Sequence, residues 1–337
     1  MDYNETMLLK YEQYAESSIF LACSDQNLKC FRFVEQLNKT QICIRECLDV
    51  TLNDAPTSAK RLRILKCQLS ELKNIETMEL QMLDLQFNCI SDISLLQTIS
   101  SLQELYLGNN QISDIQCLTK LINVFKLGLQ ANQISNITCL TEMKNLQWLN
   151  LSYNLITGLS NLNHLKYLTY LHLDNCQISD IQTFRGLKAI KHLSLQNNNI
   201  SEVFSLQKLD QLENLDISCN QIVYIHPLQY LTHLDTLQIY SNYIIDLQSI
   251  SVIKNVFAYN QAVPNMKQMI FCKAIQEIYQ CNQNIEFIRV SQYATQFMIQ
   301  TLKNRMEAMV NISKYNHALL VEKMVYTIKN LISVSDQ

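Results

Sequence analysis

Apolar residues in the middle of the chain recur with a period of 22. The run Leu102-Gln-Glu-Leu-Tyr-Leu-Gly-Asn-Asn-Gln-Ile is followed by Val124-Phe-Lys-Leu-Gly-Leu-Gln-Ala-Asn-Gln-Ile, and then by Leu146-Gln-Trp-Leu-Asn-Leu-Ser-Tyr-Asn-Leu-Ile. The first place of each frame falls at Leu80, Leu102, Val124, Leu146, Leu168, Ile190, Leu212 and Leu234, which sets eight frames over 80–255. A 21-residue frame precedes them at 59–79, with Leu62, Ile64, Cys67, Leu69, Leu72, Ile75 and Met78 in matching places. Within a frame the apolar places are 1, 4, 6, 11, 14, 17 and 20. Places 4 and 6 lie two apart and share one face of a short strand. Places 11, 14, 17 and 20 lie three apart, which suits 3₁₀ and extended turns, where side chains at i and i+3 eclipse. Each frame therefore predicts one short strand and a compact return. One frame cannot enclose a core, but a stack of them can, so the pattern predicts a repeat solenoid.

Place 9 is polar in the same rhythm. It is Asn at Asn88, Asn110, Asn132, Asn154, Asn198, Asn220 and Asn242, and Cys at Cys67 and Cys176. The chain turns inward there and leaves backbone groups without partners. An amide side chain both donates and accepts, so these residues are expected to form a structural ladder along the stack.

These residues resemble the leucine-rich repeat family, whose signature is L-x-x-L-x-L-x-x-N/C-x-L. The frame length is similar to that of the subfamily containing internalins and the leucine-rich regulatory subunit of type 1 protein phosphatase. The resemblance covers 59–255 and weakens over 17–58 and 256–262. It implies an arc with a parallel β-sheet on the concave side and a 3₁₀ or extended convex side. It also implies a protein partner on the concave face.

The ends depart from the repeat. Residues 1–16 read as a tail or short helix. Residues 17–58 read as degenerate repeats that cap the N-terminal end, since an open end would expose core leucines. The array proper occupies 59–262. From 263 to 337 the spacing is helical: Met266, Met269, Ile270, Ala274, Ile275 and Ile278, then Tyr293, Phe297, Leu302, Met306, Met309 and Val310, then Leu320, Met324, Ile328, Leu331 and Ile332. This predicts a capping helix and two amphipathic helices. Six of the 11 methionines lie there, and Met-rich faces adapt to partners. These helices either pack on themselves and the last repeat, or bind a partner or a second copy.

Composition narrows the function. Only 4 Gly occur, too far apart for a phosphate-binding loop, and their scarcity predicts few turns with positive φ. The formal net charge is −3, with no dense basic cluster, which points away from nucleic acid. No stretch is long and apolar enough to span a membrane, and the first residues are acidic where a signal peptide is basic. A cytoplasmic location is expected, with a nuclear one open. The 12 cysteines show no C-x-x-C pair and no metal-ligand spacing, so reduced thiols and no bound metal are expected. No cofactor is implied. The six histidines show no metalloprotease spacing, and no G-x-S-x-G occurs, so an enzyme is not expected.

Candidate binding residues follow from the strands. Places 3 and 5 alternate with the buried leucines and are expected to face solvent. Place 3 reads Met82, Glu104, Lys126, Trp148, Tyr170, His192, Asn214 and Thr236. Place 5 reads Asp84, Tyr106, Gly128, Asn150, His172, Ser194, Asp216 and Gln238. Trp148, the single tryptophan, should form one column with Tyr170 and His192, extended by Tyr106 and His172, with Lys126 alongside. Toward the C-terminal end the surface should turn acidic through Asp174, Glu213, Asp216 and Asp235. Such rings either shield one another and strengthen the sheet or receive a partner. The reading is a non-catalytic scaffold that binds a protein on this face. Alternatives are a regulatory subunit of a serine/threonine protein phosphatase and a surface or secreted adhesion module.

Overall fold

The computed structural model describes residues 18–22, 40–47, 50–52, 55, 57–244, 248–250 and 253–258. The tail at 1–16 and the helical region at 263–337 lie outside the described residues, as does most of the expected N-terminal cap. Among the described residues twelve strands form one sheet: β1 (Ser18–Ala22), β2 (Gln41–Arg45), β3 (Arg61–Leu65), β4 (Met82–Asp84), β5 (Glu104–Tyr106), β6 (Lys126–Gly128), β7 (Trp148–Asn150), β8 (Tyr170–His172), β9 (His192–Ser194), β10 (Asn214–Asp216), β11 (Thr236–Gln238) and β12 (Asn255–Phe257). Every strand pairs in parallel with its neighbours in chain order. Between β4 and β11 the register joins equal places, so Leu83, Leu105, Leu127, Leu149, Leu171, Leu193, Leu215 and Leu237 make one row. Together these features form a leucine-rich solenoid with the sheet on one side.

The return segments carry 3₁₀ turns such as Ser94–Thr98, Gln116–Lys120 and Thr138–Glu142. Places 14, 17 and 20 point from them into the core, as Ile115, Leu118 and Leu121 do. Full burial of a leucine or isoleucine contributes about 1.5–3 kcal/mol. The apolar rows running along the stack thus hold each repeat to its neighbours.

The polar ladder is as regular as the apolar one. Asn220 Nδ2 donates to Leu195 O at 2.9 Å and Ile217 O at 3.1 Å, and Asn220 Oδ1 accepts from Ile200 N at 3.0 Å. The same bonds recur at Asn110, Asn132, Asn154, Asn198 and Asn242. Asn88 likewise bonds the carbonyls of Ile64 and Leu85 and the amide of Leu69. At Cys176 the thiol substitutes as donor, reaching Leu151 O and Asp174 O at 3.4 Å each. A thiol is a weak acceptor, however. The return segment just before this rung departs from the pattern: Thr157 bridges to Asn136, and the 3₁₀ turn begins at Leu159 after Gly158, whose φ is 69°.

Two expectations need correction. Scarcity of glycine does not mean scarcity of positive φ. Place 8 is left-handed throughout, at Phe87, Asn109, Ala131, Tyr153, Asn175, Asn197, Cys219 and Ser241, with φ of 53–60°. The Asn at the following place bonds the turn from inside, and the place-8 amide bonds the next rung, as Ala131 N does to Ser152 O at 2.8 Å. These bonds hold ordinary residues where glycine would be at ease. The period also shortens at the end. Leu237 pairs with Val256, 19 residues on, so the frame drawn to residue 255 overruns the start of β12.

Candidate functional site

The exposed face of the sheet is built from places 3 and 5 of each strand and from place 7, just beyond it. In the N-terminal half this face is closed by ion pairs. Arg61 Nη2 reaches Glu104 Oε1 at 3.2 Å across the intervening rung, and Lys126 Nζ reaches Glu104 Oε2 at 3.5 Å. Met82 lies on that intervening rung and is only 1% exposed. Asp84, next on the same strand, is buried and sits 3.9 Å from Arg63 Nε. Met82 and Asp84 therefore do not face solvent as alternation alone predicts; long charged neighbours fold over them. Burial pushes the Glu104 carboxyl up, but the Tyr106 hydroxyl, Lys126 and Arg61 outweigh it and leave it below its ordinary value.

The central rings separate into two groups rather than one column. Tyr106 and Trp148 meet edge-on, with centroids 6.0 Å apart, and Trp148 also meets His172 at 5.9 Å. Tyr170 stacks flat on His192, at 4.1 Å and 5°. Gly128 explains the split. A Cβ there would lie 3.0 Å from the Tyr106 ring and 3.6 Å from Trp148, so its missing side chain lets the two rings close over the rung. Trp148 is half-buried as a result, whereas Tyr170 is 39% exposed. Burial pushes the His172 pKa below its usual value despite the nearby Asp174 carboxylate. The same cause lowers His192, whose Nδ1 lies 2.9 Å from Asn214 Nδ2. Both shifts favour the neutral imidazole at pH 7.

The expected acidic group also divides. Glu213 and Asp235 stand on the flank of the sheet and are paired, Glu213 with Lys191 at 2.6 Å and Asp235 with Lys254 at 3.2 Å. Asp174 and Asp216 lie on the sheet face and are held by neutral donors. Asp174 accepts from Ser152 Oγ at 3.3 Å, Gln196 N at 2.9 Å and Ser194 Oγ. Asp216 accepts from Ser218 N at 3.0 Å and from Ser218 Oγ. Burial pushes the Asp216 pKa up despite those bonds, and Asp174 adds to it.

Of the third column, at place 7, the sequence reading named only Asp174. There Gln130 Nε2 reaches Gln86 Oε1 at 2.8 Å over Gly108, and Gln196 Nε2 reaches the Tyr240 hydroxyl at 2.6 Å over Ser218. The alternation of long and small residues at 22-residue steps carries this signal in the sequence. Among the described residues no group of His, Cys, Asp and Glu is placed to hold a metal. Burial raises the thiols of Cys117, Cys139 and Cys176, to about 11, 12 and 11. What this face offers chemically is rings, hydroxyls and carboxylates on a rigid sheet.

A family model described as leucine-rich repeats, in two copies, matches residues 79–120 and 144–186. Nothing matches among curated proteins. An internalin, InlF from Listeria monocytogenes, is structurally similar, with a TM-score of 0.62 and 28% identity over 68% of this chain and 69% of its own. The leucine-rich ectodomain of the Arabidopsis thaliana receptor kinase GASSHO1/SCHENGEN3, solved with CASPARIAN STRIP INTEGRITY FACTOR 2, has a TM-score of 0.57. It is 22% identical over 69% of this chain and 34% of its own. Internalin C2 from L. monocytogenes is 29% identical over 52% of this chain and 77% of its own, with a TM-score of 0.49.

Proposed function

We propose that this chain, a leucine-rich repeat protein that resembles internalins, is a non-catalytic scaffold holding a protein partner on the exposed face of its sheet. One observation carries the reading. Trp148 and Tyr170 stand on adjacent strands in register, each supported from the side by other rings, on a backbone the ladder makes rigid. Side chains already ordered lose little entropy on binding. Trp and Tyr are also the residue types whose truncation at interfaces most often costs 2 kcal/mol or more, roughly a 30-fold loss of affinity. The contact set is Trp148, Tyr170, Tyr106, His172 and His192, with Lys126 at its N-terminal side and the carboxylates at the other. Ring stacking does contribute to the sheet, by about 0.5–1.5 kcal/mol per pair, and binding does not exclude that contribution.

The experiment is affinity capture of the partner, followed by measurement of its binding to the double variant W148A/Y170A, with thermal melting alongside. A 30-fold or greater loss of affinity at nearly unchanged melting temperature is expected; unchanged affinity rejects the contact surface. The same capture separates the narrower roles. A serine/threonine phosphatase catalytic subunit selects the regulatory reading, and a protein of another cell's surface selects the adhesion reading.

A further inference from the structure

We infer that the segment held on this face is basic, carrying arginine side chains that seat on Asp174 and Asp216 beside the central rings. The inference rests on the scaffold reading and specifies its partner. From β7 to β11, places 3, 5 and 7 hold no Lys or Arg. Asp174 and Asp216 are the carboxylates on that stretch, and the ion pairs of the face all lie to its N-terminal side or on its flank. Their donors are hydroxyls and amides, which stabilise the charge without cancelling it. Asp174 stands one rung from Trp148 and on the strand path of Tyr170, just past β8. A partner anchored on Trp148 and Tyr170 therefore covers Asp174 too. Removing water from a carboxylate is unfavourable unless a cation replaces it. An apolar or acidic segment would incur that cost; a basic one offsets it.

Arginine suits the place better than lysine. A guanidinium lies flat against an aromatic ring while its N–H fork meets a carboxylate, and it is less strongly hydrated than an ammonium. Trp148, His172 and Tyr170 supply the rings within one rung of Asp174, and the neutral imidazoles do not repel a cation. Asp174 and Asp216 are two rungs apart along the sheet, about 10 Å, which an extended segment covers in about three residues. The expected signature is two arginines separated by about three positions.

The test selects a random-peptide library displayed on phage against the full chain and then measures binding of the selected peptides in solution. Enrichment of paired arginines is expected. The isosteric variant D174N/D216N should lose at least tenfold in affinity for them, with binding to the intact chain falling as salt is added. The variant E202Q/D210N, altered at exposed carboxylates away from this face, should bind as the parent does. Replacing the arginines by glutamine in the peptides, tested on the intact chain, should give the same loss without touching the fold. Selection of neutral or acidic peptides whose binding still depends on Trp148 and Tyr170 overturns the basic-segment inference and leaves the scaffold reading standing. Basic peptides insensitive to W148A/Y170A, or equally weakened by E202Q/D210N, overturn the placement. No selectable peptide dependent on Trp148 and Tyr170 counts against the scaffold reading itself.

Discussion

Asn220 shows what one ladder residue contributes. Its side chain meets the carbonyls of Leu195, Ile217 and Ser218 and the amide of Ile200, all buried. Alanine would orphan the Ile200 amide, at about 1–3 kcal/mol, and would take one donor from the Leu195 and Ile217 carbonyls, which Asn198 and Asn242 still meet. Asn220→Ala should therefore destabilise by about 1–3 kcal/mol in urea unfolding. Asn220→Cys should retain part of that stability, because the thiols at Cys67 and Cys176 already donate to the same kind of carbonyl. A loss below about 1 kcal/mol for the alanine variant would mean that the apolar rows alone position the turns.

At the scale of the element, the unit is a three-residue strand followed by a left-handed residue and an inward Asn. That left-handed place costs a non-glycine residue about 1–2 kcal/mol, while glycine itself costs about 0.5–1 kcal/mol in chain entropy. Ala131 is half-buried with φ 54° and has only a methyl group to lose. Ala131→Gly should raise stability by about 0.5–1 kcal/mol, read as a higher denaturation midpoint at unchanged slope. A fall in stability would show that the ladder removes the strain entirely. The same elements set the binding face. A strand this short exposes only its outer places, and the leucines between them hold those side chains in fixed rows.

At the scale of the molecule, stability spreads along one dimension, since each repeat packs its core on its immediate neighbours and only a few long side chains reach the rung beyond. Leu149 lies in β7 at the middle of the array and is fully buried. Leu149→Ala should cost about 2–5 kcal/mol, and it should also weaken the coupling between the repeats on either side. Trp148 is the neighbouring residue and the single tryptophan, so its fluorescence reports that rung. In the parent, fluorescence and circular dichroism should give one coincident transition. In the variant, fluorescence should change at lower denaturant than circular dichroism. Coincident curves in both would mean that the array unfolds as one block whatever its weakest rung.

The 22-residue period determined the solenoid by itself: the strand at places 3–5, the turn at places 14–20, and the Asn ladder at place 9. Each of these depends on a residue and its copy one repeat away, and that distance is written in the chain. The left-handed place 8 was not legible, because Phe87, Ala131 and Tyr153 carry no local sign of it; the bonds that impose it come from the Asn beside it and the rung beyond. The sequence also named Trp148, Tyr170, His172 and His192 as neighbours, but only the tertiary structure decided which rings meet. Arg61 bridging to Glu104 over Met82, and Tyr106 closing on Trp148 over Gly128, are contacts between second-neighbour rungs. Such contacts depend on side-chain length and on what lies between, and the repeat pattern does not encode them.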